Sequence, residues 1–323
     1  MDVYAATIGF FDGVHLGHQY LLRQLQSHAT AHGMKTMAIT FDRHPRQVLQ
    51  PGWKPQLLTT PDEKAALLTQ TGIDRLVVLH FDQAVANLTA RQFMTTVLRD
   101  QLSVGLLLTG YDNRFGHDRT ETFDDYVRYG QELGIKVVAA NVHTSTSPHL
   151  HNSTPPHLPT SSPPQLHNST TYSSTLIRNL LSDGHVETAA QCIGRLYSIT
   201  GHVVHGQRKG HALGFPTANL MPDDPLKLIP AKGVYAVEAI TDDGTPHHAM
   251  TNIGTRPTFG GEQQTLETNI FDPIGDIYGQ PLTIRFVERL RDEVPFPSQQ
   301  ALAAQLSRDR QMAQHILHNG LIQ

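Results

Sequence analysis

The chain has 323 residues, which is enough for two packed cores because single domains usually hold roughly 100 to 150 residues. A net charge of -4 excludes the broad basic surface that binds nucleic acid through its phosphates, and no apolar run approaches the roughly 18 residues of a membrane span. The single cysteine, Cys192, excludes an internal disulfide, and the N terminus lacks the basic and apolar segments of a secretory signal, so we expect a cytoplasmic protein.

The first half of the chain alternates short apolar runs with longer segments of helical period. This pattern is typical of parallel strands joined by crossover helices, and it predicts a doubly wound α/β sheet. The predicted strands are Val3 to Ile8, Thr36 to Phe41, Leu76 to Leu79, Leu106 to Thr109 and Ile135 to Ala140. The predicted helices are Gln19 to Ala29, Asp62 to Thr71, Thr89 to Leu102 and Glu121 to Leu133.

Residues 143–171 form a low-complexity segment that is almost entirely Ser, Thr, Pro, His and Asn. Such a composition buries too little apolar surface to offset the entropy of ordering, so we expect a flexible surface insert. Its histidines lack nearby carboxylates or cysteines, and a metal site is therefore not predicted there.

The rest of the chain changes from helical to strand patterning. A helix is predicted from Ser173 to about Ala190, and short β-rich runs separated by turn residues then predict a small closed antiparallel barrel. A final amphipathic helix is predicted over Ser298 to Leu317, with its buried stripe at Leu302, Leu306, Ala313, Ile316 and Leu317. The predicted barrel strands are Ser198 to Val204, Val234 to Thr241, His248 to Ile253, Leu266 to Ile270 and Leu282 to Val287.

A glycine-rich turn, GFFDGVHLGH over residues 9–18, stands where the first predicted strand meets the first predicted helix. Ligands of open α/β sheets bind beyond the carboxyl ends of strands, and free amides at a helix start attract phosphate. His15 and His18 can point toward one phosphate there, while Gly17 leaves space for close approach. Imidazole donors stabilise the charge that develops when a phosphate attacks the α-phosphate of ATP. The alternative is an ordinary turn in a chain with 20 histidines.

A second candidate phosphate site lies at the predicted helix start after the low-complexity segment. Ser174 and Thr175 supply hydroxyls there, and Arg178 follows one helical turn later. Hydroxyls at a helix start with a nearby guanidinium form a suitable clamp for a phosphate group.

The turn at residues 9–18 resembles the Gly-x-Phe-Asp-Gly-Val-His-x-Gly-His signature of the bacterial FAD synthetase family. Further similar segments follow in order at residues 40–45 (TFDRHP), 110–116 (GYDNRFG) and 173–178 (SSTLIR). The resemblance implies an HxGH nucleotidyltransferase domain in which His15 and His18 contact the phosphates of ATP. It also implies that Asp112 and Asn113 help to seat the nucleotide or flavin. The other ATP- and phosphate-binding residues that it implies are Gly9, Asp12, Gly17, Ser174, Thr175 and Arg178.

The chain departs from this family pattern at Phe10, Arg43, Asn113 and Leu176, and in the insert that precedes Ser174. A weakened adenylylation step is therefore an alternative to full activity.

A second glycine-punctuated loop, GQRKGHALGFPTANL, occupies residues 206–220 at the start of the predicted barrel. Positions i and i+2 of a strand share one face, so Thr217 and Asn219 can offer two hard oxygen ligands to Mg²⁺. Gly206, Gly210 and Gly214 let backbone amides approach the phosphates of a nucleotide. The alternative is a tight turn at a barrel corner that Asn219 caps.

This loop closely resembles the nucleotide- and magnesium-binding loop of riboflavin kinases. Similar segments follow at residues 233–235 (GVY), 252–258 (NIGTRPT), 266–268 (LET) and 276–279 (DIYG). By this resemblance, Glu267 is the catalytic carboxylate, which takes the proton of the riboflavin 5′-hydroxyl as that oxygen attacks the γ-phosphate.

Together the patterns predict an α/β plus β protein, and the two resemblances imply an FMN adenylyltransferase domain over residues 1–195 and a riboflavin kinase domain over residues 196–323. We expect a bifunctional enzyme that uses ATP and Mg²⁺ to convert riboflavin to FMN and FMN to FAD. The alternatives are a riboflavin kinase with a degenerate first domain and a flavin-binding regulator without turnover. Small molecules are the expected partners, with no nucleic acid or membrane, and the sequence makes no prediction of oligomeric state.

Overall fold

The computed structural model describes residues 2–110, 114–117, 120–141, 172–206, 214–258 and 261–320. The chain divides into two compact units, Met1–Ser174 and Thr175–Gln323. The predicted insert at 143–171 lies outside the described residues. The boundary expected from the sequence, between residues 195 and 196, stays a prediction about where the two activities divide.

The first unit contains a five-stranded sheet in the order β3-β2-β1-β4-β5, and every strand pair that forms it is parallel. This arrangement confirms the predicted doubly wound sheet. Its strands are β1 Tyr4–Ile8, β2 Lys35–Phe41, β3 Arg75–Leu79, β4 Val104–Thr109 and β5 Lys136–Ala139. Its helices are α1 Leu16–His32, α2 Pro45–Leu49, α3 Pro61–Gln70, α4 Gln83–Ala86, α5 Ala90–Phe93 and α6 Phe123–Leu133.

The apolar character of the strands explains why the sheet is buried on both faces. One apolar cluster includes Ala6, Ile8 and Met37, and a second includes Ala5 and Ala38 from the same strands. Because side chains alternate along a strand, each central strand feeds both clusters.

One predicted helix of this unit has a different backbone geometry in the structure. The sequence indicates a regular helix from Thr89 to Leu102, but α5 continues as a π-helix over Met94–Gln101. Helical periodicity of apolar residues does not distinguish the two geometries, since Met94, Val97 and Leu98 are buried in either.

The second unit contains a closed barrel in the order β10-β7-β6-β11-β8-β9, and its strand pairs are antiparallel. This confirms the predicted barrel and adds one strand, β7, to the five runs expected from the sequence. The strands are β6 Tyr197–Val204, β7 Ala218–Pro222, β8 Gly233–Ile240, β9 Pro246–Thr258, β10 Gly261–Ile270 and β11 Pro281–Arg291.

Two helices precede the barrel where the sequence predicts one. They are α7 Ser174–Ser182 and α8 Val186–Ile193. Gly184 separates them with a φ of +87°, a left-handed conformation that glycine tolerates, and a Cβ there would lie 2.8 Å from Nε of Arg289.

The C-terminal helix, α9 Gln299–Gly320, confirms the predicted final helix. Ala313 and Leu317 are buried against an apolar cluster on the barrel, and Leu306 and Ile316 pack against it. Leu302 is half-buried, as Leu306 and Ile316 are, so the predicted stripe consists of two buried and three half-buried residues. The helix also carries a buried Asp309, whose carboxylate accepts hydrogen bonds from the Arg291 guanidinium at 2.8 to 3.1 Å.

Among the residues that the structure describes, no helix combines the length and the apolar character needed to cross a bilayer.

Candidate active sites

The turn after β1 has a backbone conformation that few residues adopt. Phe11, Gly13 and Val14 have φ angles of +53°, +82° and +38°. Such angles are uncommon outside glycine, and for a β-branched residue such as Val14 they mark local strain. Gly13 also has no room for a side chain, since a Cβ would lie 2.9 Å from Leu58 Cδ1.

Asp12 anchors this turn from the inside. Its carboxylate is 3% exposed and accepts hydrogen bonds from the backbone N–H groups of Leu58 at 3.0 and 3.1 Å and Thr59 at 3.0 Å, and from the Thr59 hydroxyl at 3.2 Å. The hydroxyl of Thr59 also accepts from Gly13 N–H at 3.0 Å. Through these contacts the Asp12 carboxylate holds the turn after β1 against the segment that contains Leu58 and Thr59.

The two histidines of the motif lie against each other at the start of α1. His15 is the N-cap residue, and its Nδ1 accepts a hydrogen bond from His18 N–H at 3.4 Å. The imidazole rings stack with centroids 3.7 Å apart and an interplanar angle of 21°. Because Nδ1 of His15 is the acceptor, the neutral ring carries its proton on Nε2 and can donate it to a ligand.

His18 is held in the neutral form by its surroundings. Burial lowers its pKa well below the usual value near 6.5, and His15 and Lys64 lower it further. Its Nδ1 is buried and has no hydrogen-bond partner within the described residues. A buried polar atom of this kind is costly unless something satisfies it, and a phosphate oxygen of a bound nucleotide is a suitable partner.

The first residue of α7 and the segment before it reach the same turn. The hydroxyl of Ser174 donates a hydrogen bond to the Asp12 carbonyl at 3.0 Å. A Cβ on Gly17 would lie 3.1 Å from both the His15 ring and the Tyr172 carbonyl oxygen, so glycine is needed for this approach. The structure thus brings Ser174 to the histidine turn, and its role in a phosphate clamp stays a prediction.

The structure does not test the roles of the other predicted residues of this site. Thr175 and Arg178 follow Ser174 in α7, on the second compact unit. Asp112 and Asn113 lie outside the described residues. Their roles stay predictions. Gly9, which directly follows β1, donates its N–H to the Ile39 carbonyl at 3.0 Å and thereby continues the sheet into the turn.

Lys64 is a residue near this site that the sequence analysis missed. It lies on α3, is 4% exposed, and its Nζ donates to the Phe41 carbonyl at 2.9 Å, where β2 ends. Its Nζ also lies 4.0 Å from the ring centroid of Phe10, in the turn after β1. From sequence alone, a lysine in an amphipathic helix is predicted to face solvent. Only the three-dimensional arrangement shows that Lys64 is buried.

In the barrel, three polar residues lie in one row across neighbouring strands. The register pairs Glu267 of β10 with Asn219 of β7 on one side and with Asn252 of β9 on the other. Directly opposed residues of antiparallel strands have Cβ atoms about 5 Å apart and face the same side. All three are half-buried, whereas their neighbours Leu266 and Leu220 are buried. Glu267 and Asn219 therefore share one face of the barrel wall.

The loop that precedes β7 is held by a second residue that the sequence analysis missed. Asn269, two residues after Glu267 on β10 and 3% exposed, donates from Nδ2 to the Pro216 carbonyl at 2.7 Å. Alternation along the strand places Asn269 on the same face as Glu267. This hydrogen bond fixes the loop immediately before Thr217, one of the two predicted magnesium ligands.

Two of the three predicted glycines of this loop are described by the structure, and their surroundings differ. Gly206 lies against Asn219, and a Cβ there would overlap the Asn219 amide, so this glycine allows close packing. Gly214 has a φ of +79° and stands before Phe215, which packs against the apolar cluster under the C-terminal helix. Gly210 lies outside the described residues.

Thr217 and Asn219 fit a magnesium ion in the chemistry of their donors. Each has a side-chain oxygen, the hard ligand type that Mg²⁺ prefers, and the adjoining Glu267 supplies negative charge nearby. Within the described residues no group of three or more His, Cys, Asp or Glu residues could hold a metal. A cation here would thus rely on neutral oxygens together with the phosphates of a nucleotide.

The chain matches two family models in succession, FAD synthetase over residues 2–153 and riboflavin kinase over residues 193–317. It is also similar along most of its length to curated proteins. The bifunctional riboflavin kinase/FMN adenylyltransferase of Escherichia coli strain K12 is 34% identical over 305 residues, which cover 94% of this chain and 89% of that protein. The protein of the same name from Haemophilus influenzae is 32% identical and covers 96% and 92%.

A solved structure supports the same fold along the whole chain. It is titled a macrolide-efflux protein from Streptococcus pneumoniae, is 30% identical to this chain and superposes with a TM-score of 0.82. The match covers 97% of this chain and 94% of that one.

Proposed function

Because this chain belongs to the bifunctional riboflavin kinase/FMN adenylyltransferase family, we propose that its two reactions are divided between the histidine turn after β1 and the Glu267 face of the barrel. The enzyme phosphorylates riboflavin to FMN and adenylylates FMN to FAD. The observation that carries the assignment of the first site is the stacked pair of His15 and His18 at the start of α1.

For adenylylation, a phosphate oxygen of FMN attacks the α-phosphate of ATP, and the bond to the β-phosphate oxygen breaks to release pyrophosphate. In this proposal Nε2–H of His15 and the buried His18 ring donate hydrogen bonds to the α-phosphate, where negative charge grows. The amides at the start of α1 add partial positive charge. Ser174, Thr175 and Arg178 then contact the polyphosphate, and Asp112 and Asn113 help to seat the nucleotide or flavin. Gly9, Asp12 and Gly17 give the turn its shape.

For phosphorylation, the 5′-oxygen of riboflavin attacks the γ-phosphate, and the bond to the β-phosphate oxygen breaks to release ADP. We assign the proton of the 5′-hydroxyl to the Glu267 carboxylate. Thr217 and Asn219 are the proposed magnesium ligands, and the ion supplies charge neutralisation of the phosphates when bound. Gly206, Gly210 and Gly214 allow the loop to approach the nucleotide.

The proposal extends to domain limits, partners and location. It assigns residues 1–195 to the adenylyltransferase and 196–323 to the kinase, with small molecules as the partners and without nucleic acid or membrane. A reducing cytoplasm suits the single buried, unbonded Cys192 and the supply of ATP.

The experiment is an incubation of the purified protein with ATP and Mg²⁺, in one sample with riboflavin and in another with FMN. FMN and ADP from the first and FAD with pyrophosphate from the second are expected. Phosphorylation of riboflavin without FAD from FMN would instead indicate a degenerate first domain. Flavin binding without consumption of ATP in either sample would indicate a regulator.

A further inference from the structure

A buried lysine stands at a helix position where the local pattern favours an apolar residue. Lys64 and Leu68 are one turn apart on α3, and both are buried. An ammonium group in such a place is costly unless it is paired. The hydrogen bond to the Phe41 carbonyl and the contact with the Phe10 ring are its partners, and within the described residues no carboxylate lies at ion-pair distance from it.

The ammonium group of this lysine lies at the edge of the sheet where ligands bind in this class of fold. Phe41 ends β2 and Phe10 follows β1, and both lie at the carboxyl edge of the parallel sheet, where the histidine turn also lies. Open α/β sheets bind their ligands beyond this edge.

We propose that Lys64 is the buried cation of the adenylylation site and that its charge acts on the anionic ATP and FMN phosphates bound at the histidine turn. The inference rests on the proposed function of that turn. Lys64 is a positioning residue here: it acts through its field on the phosphates and through the Phe41 carbonyl on the end of β2.

Because His18 is neutral, Lys64 adds a positive charge that this histidine does not supply. The histidines can donate hydrogen bonds, but burial keeps His18 uncharged at neutral pH, so it contributes no net positive charge to bound polyphosphate. Lys64 is electrostatically coupled to His18 and supplies that charge.

The acidic groups near Lys64 are already engaged by other donors. The Asp12 carboxylate accepts hydrogen bonds from Leu58 and Thr59. Asp42 accepts from Phe81 N–H at 3.0 Å and contacts His80 Nδ1 at 2.6 Å. These carboxylates raise the pKa of Lys64 only in part.

Charge at this site therefore depends on pH in a specific range. Burial lowers the pKa of Lys64 from 10.5 to about 8, while Asp12 and Asp42 oppose the shift. The ammonium form dominates at pH 7 and is lost as the pH rises through about 8. His18 titrates well below this range, so we expect loss of the Lys64 charge, and not a change in His18, to lower adenylylation at low substrate concentration above pH 8.

The test compares Lys64→Met, which keeps an unbranched side chain one atom shorter and removes the charge, with Lys64→Arg, which keeps the charge at every accessible pH. Lys35→Met, which removes an exposed lysine of the same unit, is the matched control. Formation of FAD from FMN and of FMN from riboflavin are both measured between pH 6 and pH 9.5.

For Lys64→Met we expect kcat/KM of adenylylation to fall by about a hundredfold at pH 7, the loss typical of one electrostatic group, while riboflavin phosphorylation is unchanged. Lys64→Arg should retain adenylylation and lose the decline above pH 8. Retention of the rate by Lys64→Met within about threefold, or a decline near pH 8 that persists in Lys64→Arg, would overturn the inference. If the wild-type protein makes no FAD from FMN at any pH, the proposed function fails and this inference fails with it. If Lys64→Met is misfolded, the profiles of the wild type and Lys64→Arg decide.

Discussion

The burial of Lys64 predicts how the stability of the first unit changes with pH. A pKa of about 8 in the folded protein against 10.5 when unfolded means that between these values the folded state binds fewer protons than the unfolded state. The free energy of unfolding must then rise with pH across this window. At about 1.4 kcal/mol per pKa unit, the shift corresponds to about 3 kcal/mol. Lys64 is 4% exposed, so solvent screening discounts little of this amount.

Substitution by methionine isolates this contribution. Lys64→Met carries no titrating group at this position. The free energy of unfolding of the wild type minus that of the variant should therefore increase by about 3 kcal/mol between pH 7 and pH 10.5. Other groups titrate in the same range, but they are common to both proteins and cancel in the difference. At pH 7 we expect the variant to be no less stable than the wild type, because the lost hydrogen bond to Phe41 is offset by removal of a buried charge.

The chain carries its own probe for this measurement. Trp53 is the single tryptophan and lies in the first unit, with the Arg46 guanidinium 4.8 Å from its ring. Its fluorescence during urea denaturation therefore reports the unfolding of that unit and not of the barrel. A stability difference between wild type and Lys64→Met that stays constant from pH 7 to pH 10 would refute the reasoning, because the lysine would then have an ordinary pKa.

Further substitutions separate the two sites. His18→Ala should lower FAD formation from FMN by about a hundredfold or more, with riboflavin phosphorylation retained; equal loss of both activities in a folded protein would contradict two independent sites. Glu267→Gln should lower FMN formation by about a hundredfold, and an unchanged rate would exclude this residue as the base. Thr217→Val should raise the Mg²⁺ concentration needed for the kinase alone by about tenfold. Asn269→Leu should raise the kinase KM for ATP by about tenfold through the loosened loop, measured against unchanged FAD formation as its control.

Much of the fold could be predicted because apolar periodicity is strong where elements are buried. The strands of both units follow runs of branched and apolar residues, and the sheet order agrees with crossover connections between them. The break at Gly184 and the π-helix after α5 could not be predicted in the same way. Both leave the apolar pattern intact and change only the backbone geometry between buried residues.

The candidate sites show a similar division. The histidine motif and the Thr217 to Asn219 spacing are local in sequence, so both could be found as candidate sites, and the family resemblance favoured those sites over ordinary turns. Lys64 could not be found this way, because its importance depends on Phe10, in the turn after β1, and on Phe41, at the end of β2. A lysine with helical neighbours has the same sequence signature whether it faces water or the core.

Asp12 and Asn269 show why the residues that hold a site are harder to identify than those that act in it. Each is a buried polar residue whose side chain fixes the backbone of a functional loop, Asp12 through Leu58 and Thr59 and Asn269 through the Pro216 carbonyl. Both loops need such support: the first contains non-glycine residues with positive φ, and the second leads to the proposed magnesium ligands Thr217 and Asn219. A motif match presents Asp12 as a ligand of ATP, yet a carboxylate that already accepts these hydrogen bonds is better suited to hold the strained turn than to face phosphate. Preorganised donors are effective only when their backbone is fixed before substrate binds, so loss of either anchor should impair catalysis without removing any group that touches substrate.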